Sequence, residues 1–147
     1  MRVLVDTNVY VSRLLIGSRS FSGVARLIDA AILGEYILLL PEEVLDELRG
    51  LRERKAYLRN RITQRDVDDL IRVLQSVAVI LPRQTNPIPA VLRDPKDDFL
   101  LTAAVLGEAD YLVTGDRDIL DIRKAIMRPS ILTVAEFLTL LPSSHRQ

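Results

Sequence analysis

The side chains able to do chemistry in this 147-residue chain are carboxylates, hydroxyls, amides and basic groups. Cysteine is absent, which excludes disulfides, thiolate metal sites and thiol nucleophiles. The single histidine, His145, sits in a polar tail, so histidine zinc sites and histidine acid–base catalysis are disfavoured. The acids stand at telling places. Asp6 directly follows the apolar run Val3-Leu4-Val5, and Asp116 follows Tyr111-Leu112-Val113-Thr114-Gly115. Glu43 and Glu47 lie one helical turn apart behind Pro41, and Asp94, Asp97 and Asp98 crowd together behind a proline-rich stretch. Like charges gathered in a cleft raise its free energy unless a cation neutralises them. Oxygen-only donors select a hard ion, Mg²⁺ or Mn²⁺, over zinc. Such an ion on an acidic edge suits phosphoryl chemistry, where it activates water and stabilises charge developing on phosphate.

The elements that must position these acids can be read from hydrophobic patterning. Val3–Val5, Tyr36–Leu40, Val77–Leu81 and Tyr111–Val113 are short apolar runs of strand character, and Ile131-Leu132 is a candidate fifth. Helical stripes separate them. The first runs over 8–16, and the second runs from about Ser22 to a stop at Gly34. A third opens at Pro41 and carries Val44, Leu45, Leu48 and Leu51 on one face. A fourth is capped by Thr63 with Asp66, a fifth opens at Asp94-Pro95, and the last is boxed by Thr133 and Glu136 and ended by Pro142. The alternation predicts an α/β fold: a three-layer α/β/α sandwich around a central, mainly parallel sheet of four to five strands. One domain over 1–142 with a flexible tail over 143–147 accounts for the length.

In a parallel sheet the segments after all the strands emerge on one edge, where open α/β folds place their ligands. Asp6 and Asp116 share that edge, with the starts of the helices that carry Glu47 and Asp98. Each acid also has an ordinary reading. Asp6 either caps the next helix or holds a cation. Glu47 lies roughly 60° round the helix from Val44, at the margin of the apolar stripe, and a solvated helix acid is the plainer reading. Asp46 points to solvent. Asp94 is well explained as a cap, but capping does not need Asp97 and Asp98 beside it.

Formal net charge is zero, so nucleic acid could be held only by a local patch. The basic run Arg49, Arg52, Arg54, Lys55, Arg59, Arg61 and Arg65 offers one, or is simply a solvated helix and loop. The first apolar run is too short for a signal peptide and no stretch approaches a membrane span, so the expectation is a cytoplasmic protein with no membrane partner.

Asp6-Thr7-Asn8 after the first strand, Glu47 in the helix after the second, Asp98 at a helix start and Thr114-Gly115-Asp116 after a late strand together resemble the PIN domain. The resemblance spans nearly the whole chain and is closest to the PIN-type toxins of bacterial and archaeal toxin–antitoxin systems. It implies a Mg²⁺- or Mn²⁺-dependent endoribonuclease that cuts single-stranded or loop RNA with metal-activated water. Asp6, Glu47, Asp98 and Asp116 would be the catalytic, metal-holding acids, with Thr7, Asn8 and Thr114 supporting them by hydrogen bonds. Asp94 and Asp97 compete with Asp98, which is chosen by its distance to Ala103 and Ala104; Glu43 competes with Glu47. Asp118 fits a helix-start acid better than a ligand. The basic run would hold RNA. A homodimer or higher homo-oligomer and a small inhibitory antitoxin are implied by the same likeness.

Two other classes, one enzymatic and one not, fit less well. An aspartate-nucleophile phosphatase needs an aspartate two residues after the first, where this chain has Asn8. A phospho-acceptor signalling domain needs a lysine after the last strand, and none follows Ile131. The remaining alternative is a catalytically inactive PIN-like module that binds RNA or serves as a scaffold.

Overall fold

The computed structural model describes the backbone of residues 1–16, 23–84 and 95–142, and their side chains except those of residues 16 and 95–98. Five parallel strands form one sheet in the order β3-β2-β1-β4-β5: β1 (Arg2–Val5), β2 (Ile37–Pro41), β3 (Val79–Leu81), β4 (Tyr111–Val113) and β5 (Ser130–Leu132). The helices are α1 (Thr7–Ile16), α2 (Gly23–Ile32), α3 (Glu42–Arg49), α4 (Leu51–Arg54), α5 (Gln64–Val77), α6 (Pro95–Leu106), α7 (Arg117–Asp121) and α8 (Val134–Leu138). The expected sandwich with a parallel sheet is therefore present.

Alternation along the strands divides the core in two. Val3 and Val5 of β1, with Leu38 and Leu40 of β2, meet α1, α2, α3, α5 and α8. Leu4 and Leu39 face the other way, onto Leu100, Leu101 and Ala104 of α6 and Ile119 of α7. Both faces of β1 are closed, which is why its sequence is continuously apolar. Each such leucine, fully buried, contributes about 1.5–3 kcal/mol.

Several boundaries differ from the sequence expectation. Pro41 closes β2 in extended geometry and precedes α3 instead of lying inside it. Leu51 does not extend the α3 face: Gly50 interrupts the helix, and Leu51 is buried from the separate turn α4. The α5 helix runs to Val77, so β3 begins only at Val79. β3 is an edge strand, and Val79 and Ile80 are exposed on it. Asp46 is only half exposed, because Arg83 pairs with it and holds its carboxyl below the usual range. Gly34 ends α2 at φ 77°, the left-handed geometry expected of a glycine stop. The Thr63–Asp66 and Thr133–Glu136 capping boxes both form.

Among the described residues the phenol of Tyr10, buried in the larger cluster, has no hydrogen-bond partner, whereas Tyr36 donates to the Leu27 carbonyl at 2.9 Å. Burial pushes both phenols up from their ordinary pKa. An unpartnered buried hydroxyl has a desolvation cost and no compensating bond. Tyr10→Phe is therefore expected to leave the unfolding midpoint unchanged or raise it. Tyr36→Phe, which removes a made bond, should lower it by the equivalent of about 1 kcal/mol in a denaturant titration.

Candidate active site

The strand order runs outward from β1 in one direction through β2 and β3, then returns to β4 on the opposite side. The direction of travel reverses between β1 and β4, and a crevice opens at such a switch point beyond the carboxyl ends of the strands. Asp6, Thr114 and Asp116 are the residues found there.

The Asp6 N–H donates to the Val113 carbonyl at 2.9 Å, which carries the β1–β4 ladder one residue past Val5. Its own carbonyl accepts from Val9 in the first turn of α1. Of the two sequence readings of this carboxylate, the helix cap has a weak physical counterpart. Oδ1 accepts from the Asn8 N–H at a long 3.4 Å, a weak cap, while Oδ2 accepts from the Thr114 hydroxyl at 2.8 Å. Thr114 is fully buried. Its one proton goes to Asp6, and its oxygen accepts from the Asp116 N–H at 3.0 Å. One hydroxyl thus fixes both acids. Asp116 caps α7, with Oδ1 accepting from the Asp118 N–H at 2.8 Å. Asp118 is an exposed first-turn acid of that helix.

Glu47 enters from α3. The hydroxyl of Thr7, nearly buried, donates to Glu47 Oε1 at 2.7 Å and ties α1 to α3. Arg54 from α4 reaches back to the backbone carbonyls of Glu47 and Gly50. Neither an RNA contact nor a solvated side chain describes this role of Arg54; its spacing from the end of α3 is the signal for it. Burial raises the Asp6 pKa most. Thr114 and Asn8 oppose that by hydrogen bonding to the carboxylate, and the charges of Asp116 and Glu47 add to the rise. Asp6, Glu47 and Asp116 therefore share one electrostatic neighbourhood. Glu43 has different partners: its Oε2 accepts from the Gln84 N–H at 2.9 Å, and its charge acts on Arg83.

Asp97 and Asp98 lie in the first turn of α6, the helix between β3 and β4, but their side chains are outside the described residues. Asp94 is outside them altogether, as is His145. Among the described residues no three acids are drawn together tightly enough to hold an ion as they stand. The donors present are carboxylate, hydroxyl and amide oxygens, and the partly buried Asp6 carries two neighbouring negative charges. That chemistry fits a hard divalent ion.

The basic run folds compactly. Arg59 donates to the carbonyls of Arg52 and Glu53, and Arg49 approaches Asp46 at 3.7 Å. Lys55 and Arg61 make no described side-chain bond, and Arg61 is exposed.

The fold is thus an all-parallel α/β/α sandwich with carboxylates at its switch point. The PIN domain profile matches residues 2–118, and the chain belongs to the PIN domain family. PIN domains are generally nucleases. No curated protein matches the chain. Among solved structures, VapBC2 from Rickettsia felis, bound to a DNA fragment from its promoter, superposes with a TM-score of 0.59 at 15% identity. That match covers 90% of this chain and 98% of the other. The PIN domain of human SMG5 is also similar, with a TM-score of 0.47 and 15% identity over 95% of this chain and 98% of that one. No helix among the described residues is long and apolar enough to cross a membrane.

Proposed function

We propose that the chain is a metal-dependent endoribonuclease and the toxin of a toxin–antitoxin pair. The observation that carries this reading is Asp6, half-buried at the β1–β4 switch point and held by Thr114 against the charges of Asp116 and Glu47. Membership of a family that is generally nucleolytic supports the reaction class. The likeness to VapBC2 supports the toxin role.

In this reading Asp6, Glu47, Asp98 and Asp116 hold Mg²⁺ or Mn²⁺. When bound, the ion supplies activated water and charge stabilisation at the phosphate. The residues of the chain do the positioning. Thr114 sets the spacing of Asp6 and Asp116, Thr7 fixes Glu47, and the Asn8 N–H steadies Asp6. With Oδ1 engaged by the α7 cap, Asp116 has its other oxygen for the ion. RNA phosphates would be held by the basic run, with Lys55 and Arg61 the best available contacts. The chain would act in the cytoplasm as a homodimer or higher oligomer; the exposed apolar residues of the β3 edge support association.

The test is cleavage of an end-labelled, mostly unstructured RNA with Mg²⁺, Mn²⁺ or EDTA. Cutting that needs the metal supports the nuclease, and metal-independent cutting refutes the mechanism. Growth arrest on expression, relieved by co-expressing a small protein encoded beside it, tests the toxin role. Thr114→Val tests the positioning: metal affinity should fall about 10- to 100-fold in a calorimetric titration, with the fold retained.

A further inference from the structure

A groove of about 450 Å³ opens directly from the acidic crevice. Asn8, Thr114, Gly115 and Asp116 line it on the side of that crevice. It then runs between α1 and the start of α8, with Val9, Val24 and Val134 giving apolar surface, and Ser12 and Thr133 giving hydroxyls. The volume lies in the range of small-ligand sites. Among its described lining residues there is one acid and no lysine or arginine. A phosphate would be repelled there. An uncharged planar group would find branched side chains to lie against and hydroxyls at its edge. Thr133 accepts from the Glu136 N–H in its cap, so its proton is available; Ser12 donates to the Asn8 carbonyl, so its oxygen can accept. A side chain at Gly115 would meet nothing within 4 Å, which leaves that wall open.

We infer that this groove is a nucleobase subsite, taking the base of one nucleotide next to the scissile position at the acidic crevice. The inference rests on the nuclease reading and extends it to specificity. Charge divides the labour: the basic run meets phosphates, while the groove, which shares Asp116 and Asn8 with the acidic crevice, takes the base next to the cut. A single-stranded substrate is favoured, because a paired base must first be unpaired and unstacked to enter.

The experiment compares a short single-stranded oligoribonucleotide with versions lacking one base at successive positions around the cut, using Mn²⁺. In the parent, removing one particular base should raise KM about tenfold, the scale of a lost base contact. Ala135→Phe adds bulk to the groove from an exposed position in α8, and Gly115→Leu does so from the segment after β4. In each, the penalty for removing that base should vanish. An equal penalty in parent and variants, or none at any position, overturns the inference. Circular dichroism and thermal melting confirm that each variant is folded. If the parent does not cut RNA with Mn²⁺, the nuclease reading has failed. Fluorescence anisotropy of the same oligomers in EDTA then decides the subsite separately: affinity that depends on the base in the parent but not in Ala135→Phe upholds it, and base-independent affinity refutes it. If base removal has no effect while Ala135→Phe relieves inhibition by the cognate small protein, the groove serves that protein and the inference is overturned.

Discussion

Asp6→Asn is expected to reduce metal-dependent RNA cleavage to background, a fall of at least about 10²- to 10³-fold, the scale set by losing one preorganised electrostatic group at a reacting phosphate. The substitution preserves shape. The Asn carbonyl can still accept from the Thr114 hydroxyl, and only the long 3.4 Å bond from Asn8 is sacrificed. What disappears is the charge. Burial and the neighbouring acids raise the pKa of Asp6, so its folded-state value lies above its unfolded one. The stabilisation from protonating it is therefore present at low pH and lost as pH rises through the folded value. At neutral pH the metal-free parent carries a partly buried, repelled charge, and the Asn variant does not. The variant should melt at the same temperature or higher. That advantage should shrink as pH falls toward the unfolded carboxyl value of about 3.9. Adding Mg²⁺ should raise the parent melting temperature and not that of the variant, since only a protein that binds the ion gains from it. Parent-like cleavage by Asp6→Asn would remove Asp6 from the site. A collapsed melting temperature would instead make it a structural residue.

Much of this was legible because parallel sheets have few ways to be built. A continuous apolar run such as Val3-Leu4-Val5 has to be covered on both sides, and the structure covers it with two separate clusters. Once β1 and β4 are parallel neighbours, Asp6 and Asp116 must leave the same edge. What patterning could not give was the direction in which individual polar atoms point. Glu43 and Glu47 are one turn apart and look alike in sequence. They separate only because Thr7 reaches Glu47, while the backbone of Gln84, returning after β3, reaches Glu43. Those bonds span 40 and 41 residues of chain, beyond the reach of any local signal. The interruption at Gly50 was similarly hidden, because Leu51 keeps the helical period of the α3 stripe while belonging to the next turn. The groove beside α8 is made by elements that close together only in three dimensions, so no stretch of sequence announced it.

Asp116 and Asp118 provide the second large effect, because they occupy one turn yet are predicted to behave oppositely. Asp116 has two tasks: its Oδ1 caps α7 through the Asp118 N–H, and its carboxylate adds negative charge to the environment of Asp6. Two substitutions separate these tasks. Asn and Ser are both good caps, so Asp116→Asn and Asp116→Ser should keep α7 folded, with melting temperatures near the parent's. If the charge is what the reaction needs, both should lose cleavage by about 10²-fold or more, the cost of removing an aimed electrostatic group. Asp118→Asn should change activity little. Its carboxylate is exposed in the first turn of α7, where its contribution is an interaction with the helix dipole of about 0.3–1 kcal/mol. It donates to Asp116 through its backbone N–H, which the substitution leaves in place. Equal losses at the two positions would mean that the intact turn, not the Asp116 charge, is what cleavage requires. Full activity in Asp116→Ser would remove Asp116 from the set of metal-holding acids and leave it as a cap.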